Sequence, residues 1–131
     1  MNQDPYLEPL RAALSRAYAP YSKFSVGAVV RAQSGELYSG TNLENAAYPE
    51  GLCAEACAIA AMVMAGEQRL IEVAVMARGE ALCSPCGGCR QKIAEFALPD
   101  TSIRLYSPDA LRAVFSLAEL LPYSFTPEHL N

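Results

Sequence analysis

Cys53-Ala54-Glu55-Ala56-Cys57-Ala58-Ile59-Ala60-Ala61-Met62-Val63-Met64-Ala65-Gly66, followed closely by Leu70-Ile71-Glu72-Val73-Ala74-Val75-Met76-Ala77, decides the fold class. Residues 54–65 are rich in Ala and Met and apolar on nearly all sides, which predicts a buried helix. Gly66 stops it. Leu70–Ala77 is an apolar run of strand length, consistent with an interior strand covered on both faces. Downstream, 79–85 reads as loop and 86–97 as a second helix, ended before Pro99. Residues 103–106 form a strand and 111–115 another, and 116–121 is a short helix stopped by Pro122. Upstream, Val26–Ala32 is β-rich, Gln33-Ser34-Gly35 turns, and 36–40 returns, so the pair reads as a hairpin. Residues 42–51 are a polar loop containing Pro49 and Gly51. The first element is a helix with Leu7, Leu10, Leu14 and Tyr18 on one face, ended by Ala19-Pro20-Tyr21-Ser22. Both Asp4-Pro5 and Glu8-Pro9 fit its start.

Strands separated by helices imply crossover connections and parallel pairing. The expectation is therefore an α/β fold: a three-layer α/β/α sandwich with a mixed five-stranded sheet, the hairpin supplying its antiparallel part. The 131 residues suit one domain spanning 1–131. With 52% hydrophobic and 18% charged residues, the chain can bury a sizeable core and is not disordered. Ten Lys and Arg against fourteen Asp and Glu leave a net charge of −4. That is no basic footprint, so nucleic acid is not an expected partner. The first ten residues lack the basic start and apolar stretch of a signal peptide. The longest apolar run, 56–65, is half of the ~20 residues a membrane span requires. These features predict a cytoplasmic protein that makes no use of a membrane.

Five cysteines is an odd number, and three fall within 83–89, which favours metal binding over a disulfide framework. In Pro85-Cys86-Gly87-Gly88-Cys89 two cysteines three apart open a helix and point the same way. Free N–H groups and the positive end of the helix dipole lower thiol pKa there, and thiolate is the form that binds zinc. Alone, the pair also fits a redox couple or half of a structural zinc site. Cys53-Ala54-Glu55 adds a third thiol at another helix start. A closed structural site needs a fourth protein ligand, for which Cys57 and Cys83 are the candidates. Three ligands and a water make instead a catalytic site with an open position, and Glu55 is close enough in sequence to serve that water.

Cys-Ala-Glu followed downstream by Pro-Cys-x-x-Cys resembles the zinc nucleoside deaminases. Ala19-Pro20-Tyr21-Ser22-Lys23-Phe24, Gly40-Thr41-Asn42-Leu43-Glu44-Asn45-Ala46, Cys89-Arg90-Gln91 and Glu119-Leu120-Leu121-Pro122 extend the likeness nearly end to end, to the short homotetrameric cytidine deaminases. Cys at position 53 favours free-nucleoside enzymes over nucleic-acid-editing relatives. The resemblance implies hydrolytic deamination of cytidine and 2′-deoxycytidine in pyrimidine salvage, with one Zn²⁺ per subunit held by Cys53, Cys86 and Cys89. Zinc would acidify a water, and Glu55 would carry its proton first to N3 of cytosine and then to the departing amino group.

Further roles carry over by matching position. Asn42 and Glu44 resemble the pair that bonds the ribose 3′-hydroxyl, a group that both donates and accepts. Phe24 resembles an aromatic beside the pyrimidine and sugar. The N–H of Ala54 and the C=O of Ser84 correspond to groups that touch the base. Ala46, Tyr48 and Phe125 resemble residues that reach into a neighbouring subunit's site, with Phe125 stacking on the base. His129, the one histidine, lies in the tail and is not assigned to the metal. In one respect the chain departs from its relatives. Many carry Arg directly after Cys-Ala-Glu, where it bonds the thiolates; here stands Ala56, with Cys57 next. Three thiolates and Zn²⁺ sum to −1, so another cation is expected to compensate, and Arg90 is the candidate.

Overall fold

The computed structural model describes residues 3–130. Helix α1 is Leu7–Ser15. Strands β1 (Val26–Ala32) and β2 (Leu37–Thr41) follow, then a 3₁₀ turn at Tyr48–Glu50. Helix α2 (Ala54–Met64) leads to β3 (Leu70–Ala77), and α3 (Gly87–Phe96) to β4 (Ser102–Tyr106). Strand β5 (Leu111–Ser116), α4 (Leu117–Leu120) and a 3₁₀ turn at Pro127–Leu130 complete the chain.

The start of α1 falls between the two expected points. The Asp4 carboxylate accepts the Tyr6 N–H at 2.9 Å, and the helix begins one residue later. Its buried face is Leu10, Ala13 and Leu14. Tyr18 is not on that face: the helix has already ended, and Tyr18 is 58% exposed. Its N–H donates to the Asn42 carbonyl at 3.0 Å and its carbonyl accepts the Glu44 N–H at 2.8 Å. Pairing with the 42–44 backbone, not helical periodicity, decides its position.

The five strands form one sheet in the order β2-β1-β3-β4-β5. More of it is antiparallel than the hairpin alone. β1 runs against both β2 and β3, β5 runs against β4, and only β3–β4 is parallel. The reason lies in the connections. The β2–α2–β3 crossover steps over β1, so β2 and β3 share a direction without touching. β4 and β5 are joined by a tight turn closed by Ser107 N–H to the Ala110 carbonyl at 3.0 Å.

Alternation along β1 divides the core. Ala28, Val30 and Ala32 face α2 and α3, in one cluster with Ala54, Ala58, Ile59 and Met62 of α2 and Ile93 of α3. Val29 faces α1 with Tyr6, Leu10, Leu14, Ala74, Met76 and Tyr106. The result is three layers, α1 on one face and α2 with α3 on the other. Because β2 and β3 are parallel in direction, their C-terminal ends and the start of β1 meet at one end of the sheet. Both α2 and α3 begin after those ends. Among the described residues, no helix is long and apolar enough to cross a membrane.

Candidate active site

Two helix starts make the site. Leu52 is paired to Leu43 in both directions, at 2.9 and 3.0 Å, which fixes the backbone just before Cys53. Cys53 is the extended N-cap of α2 (φ −74°, ψ 153°), and Cys86 is the extended N-cap of α3 (φ −65°, ψ 167°). Cys89 lies in the first turn of α3 and is fully buried. The three sulfurs lie within 4.8 Å of one another, with Cys53 Sγ and Cys86 Sγ 3.9 Å apart. A tetrahedral zinc with thiolates at about 2.3 Å spaces its sulfurs about 3.8 Å apart, so the donor set fits. Among the described residues, neither Cys57 nor Cys83 joins this group. Three protein donors leave a coordination position free for a water or a substrate.

The local electrostatics call for a cation. Burial pushes the Cys89 thiol well up, with Glu55 and the other two thiols adding to it. Burial also pushes Cys53 up. Cys86 is held below its ordinary value: the Cys89 backbone N–H faces its sulfur, at a geometry that does not close a capping bond. A divalent cation reverses this preference and deprotonates ligating thiols. Glu55 is only 5% exposed, and burial raises its pKa. It is the second residue of α2, so it stands beside the thiols on the same helix start.

A cleft of about 430 Å³ opens over these groups. Of the residues expected from sequence, Phe24, Asn42, Glu44, Tyr48, Cys53, Ala54, Glu55, Ser84 and Cys86 all line it. Asn42 and Glu44 are held in place by backbone far away in sequence. Asn42 Oδ1 accepts the Val26 N–H and its Nδ2 donates to the Phe24 carbonyl, both at 2.9 Å. Glu44 Oε1 accepts the N–H groups of Tyr21 and Ser22 at 2.9 and 3.1 Å, and its Oε2 accepts the Ser22 hydroxyl. Those bonds, the Ser22 hydroxyl first, hold the Glu44 carboxyl below its ordinary value. Ser22 thus belongs to the site; its motif is visible in the sequence, but its bond to Glu44, 22 residues away, is not. Lys23 between Ser22 and Phe24 has φ +62°, an uncommon conformation for a residue with a side chain and one that concentrates at functional loops.

Three expected residues lie apart from the cleft in this chain. Ala46 does not line it. Phe125 is 57% exposed and stacks on His129 at 5.0 Å. His129 Nδ1 accepts the Thr126 N–H at 3.0 Å. Arg90 lies near the metal ligands, but its hydrogen bonds go elsewhere. Its Nε donates to the Pro85 carbonyl at 2.8 Å, Nη1 to the Leu120 carbonyl at 2.8 Å, and Nη2 to Ser84 Oγ at 3.0 Å. Its fork braces the 84–85 loop and ties it to the end of α4.

A mixed α/β sandwich that brings three thiols and a buried carboxylate to two converging helix starts defines the class of zinc-binding deaminases. Residues 1–104 match the family model described as the cytidine and deoxycytidylate deaminase zinc-binding region. The chain is 38% identical over 131 residues to a cytidine deaminase of Sporosarcina psychrophila, covering 100% of this chain and 96% of that one. It is 34% identical over 131 residues to a cytidine deaminase of Halalkalibacterium halodurans, covering 100% and 99%. The crystal structure of a cytidine deaminase from Burkholderia pseudomallei superposes with a TM-score of 0.87 at 35% identity, covering 95% of this chain and all of the other. The chain belongs to the cytidine deaminase family, whose members bind zinc.

Proposed function

We propose that the protein deaminates cytidine and 2′-deoxycytidine hydrolytically, releasing ammonia and the corresponding uridine. It does so as one domain over 1–131, in a cytoplasmic homotetramer with one zinc per subunit held by Cys53, Cys86 and Cys89. The observation that carries this reading is the cleft: one wall bears the thiols and buried Glu55, the other bears Asn42 and Glu44. A pyrimidine nucleoside has a reacting ring at one end and a hydroxylated sugar at the other, and the two walls match those ends.

Bound zinc supplies a Lewis acid and an acidified water. Glu55 carries the protons: it takes one from the attacking water and passes it to N3 of the ring, then takes a second from the new C4 hydroxyl and passes it to the amino group, which leaves C4 as ammonia. The Ala54 N–H donates to the base carbonyl, and the Ser84 carbonyl accepts from the amino group. Asn42 and Glu44 retain unused donor and acceptor capacity for the sugar 3′-hydroxyl. Phe24 flanks the ring and sugar. Ala46, Tyr48 and Phe125 serve a neighbouring subunit's site, which suits the exposure of Tyr48 and Phe125 in the single chain, and Tyr48 borders its own chain's cleft as well.

The test compares wild type with Glu55→Ala for zinc content and for the absorbance loss as cytidine becomes uridine. The expected result is metal retained and turnover nearly abolished in the variant. Undiminished turnover would remove Glu55 from its role, and an inactive zinc-loaded wild type across a nucleoside panel would remove the deaminase reading.

A further inference from the structure

Asn42 and Glu44 follow directly on the end of β2, Cys53 and Glu55 stand at the start of α2, and β2 meets α2 at Gly40. A Cβ built on Gly40 would lie 2.3 Å from the Ala58 backbone nitrogen, 2.4 Å from the Ala54 carbonyl oxygen and 2.9 Å from the Cys57 carbonyl carbon. All three are main-chain atoms of the first turns of α2, so no rotamer change can relieve the clash. Restoring an ordinary separation of 3.4 Å at the nearest atom needs a displacement of about 1 Å.

What would move is the catalytic wall. The opening turn of α2 holds Ala54 and Glu55, and Cys53 is its cap. What would stay is the other wall. Asn42 follows Gly40 by two residues and is pinned by Val26 and Phe24 on the β1 side. Cys86 and Cys89 belong to α3, so a shift of α2 alone would also spread the three sulfurs.

We propose that Gly40 is a positioning residue. Its missing side chain sets the gap between the sugar-facing and metal-facing walls, and with it the spacing of Cys53 from the α3 thiols. The expected effect on turnover rests on the deaminase reading; the effect on the metal does not. Gly27 supplies an internal control. A Cβ there would lie 2.8 Å from the Leu10 carbonyl oxygen and 2.9 Å from the Leu14 nitrogen, a main-chain wedge of the same kind, about half as deep, against α1 on the opposite face of the sheet. Helix α1 carries no thiol and no cleft residue. A softer wedge is available beside Gly40 itself: Ala28 is its cross-strand partner, is fully buried, and packs in the α2-side cluster.

The experiment prepares Gly40→Ala, Gly27→Ala and Ala28→Val as full-length chains. It measures zinc affinity against a competing chelator, the thiolate-to-metal absorption of the cobalt-substituted protein, and kcat and KM for cytidine. Gly40→Ala is expected to bind zinc more weakly, to alter the cobalt spectrum, and to lose about 100-fold in kcat, the size of loss a 1 Å misplacement can produce. Gly27→Ala is expected to lower Tm while keeping wild-type zinc affinity, spectrum and kcat. Should Gly40→Ala yield no folded chain, Ala28→Val is read in its place, with the same directions and smaller size. Wild-type metal affinity, spectrum and kcat in the variant read would overturn the proposal, as would equal losses in Gly27→Ala. A zinc-loaded wild type without turnover would count against the deaminase reading alone, since the cobalt spectra still decide the spacing.

Discussion

On the α1 face of the sheet, two buried tyrosines and the partly buried charged groups around them are matched with one another. Tyr6 OH donates to the Glu72 carboxylate and accepts from Arg31 Nε at 2.9 Å. Tyr106 OH donates to Asp4 at 2.6 Å and accepts from Arg104 Nε at 3.0 Å. The Arg31 and Arg104 guanidinium groups also lie 5.4 and 5.6 Å from the Tyr6 ring centre, within cation–π range. On the α2 face the gathered groups are of one kind: three thiols and a carboxylate, while the nearby Arg90 spends its donors on Pro85, Leu120 and Ser84. Burial alone therefore does not mark a reactive site. A set whose members neutralise one another holds the fold, whereas a set with surplus acceptors is built for something that arrives.

Substitutions should separate the two faces. The largest effect is expected for Cys89→Ala, which should lower zinc affinity and turnover by more than about 100-fold, beyond the range of outer-shell changes. Metal analysis after dialysis checks it. Next comes Arg90. If its fork matters more than its charge, Arg90→Lys should be no better than Arg90→Ala, each losing about 10- to 100-fold in kcat or zinc affinity. Rescue by Lys would return the role to charge compensation.

Smaller changes belong to the α1 face. Tyr6→Phe should cost about 1–2 kcal/mol of stability by urea unfolding and leave kcat unchanged. A fall in kcat would break the division between the faces. The same bond sets a pH limb. Burial and Glu72 push the Tyr6 pKa up from 10.0 to about 12, so the folded state holds that proton more tightly. Its contribution is full below pH 10, falls between 10 and 12, and is gone above. Urea midpoints against pH should show this alkaline loss, and Tyr6→Phe should flatten it.

Much of this was legible in the sequence, because its signals are local. The apolar run at Leu70–Ala77 and the Ala-rich helix before it required no partner to be read. The cysteine spacing and Glu55 likewise declare themselves within a few residues. What escaped depends on contacts between distant parts of the chain. Tyr6 and Glu72 are 66 residues apart, and Asp4 and Tyr106 are 102 apart. Tyr18 fits a helical period, yet its backbone pairs with residues 42–44 instead. The acceptors of Arg90 lie on a loop and at the end of α4, so only its charge could be read beforehand. Gly40 passed as an ordinary strand residue because the helix that presses on it arrives 14 residues later.

Cys53 and Cys86 stand where helices usually take Ser, Thr, Asp or Asn, and neither closes a capping bond. Two helices therefore begin untied at one point in space. An ion held by both sulfurs would cross-link the two helix starts. The supply of zinc in the surroundings would then govern local order at the reacting end as well as the rate of the reaction there.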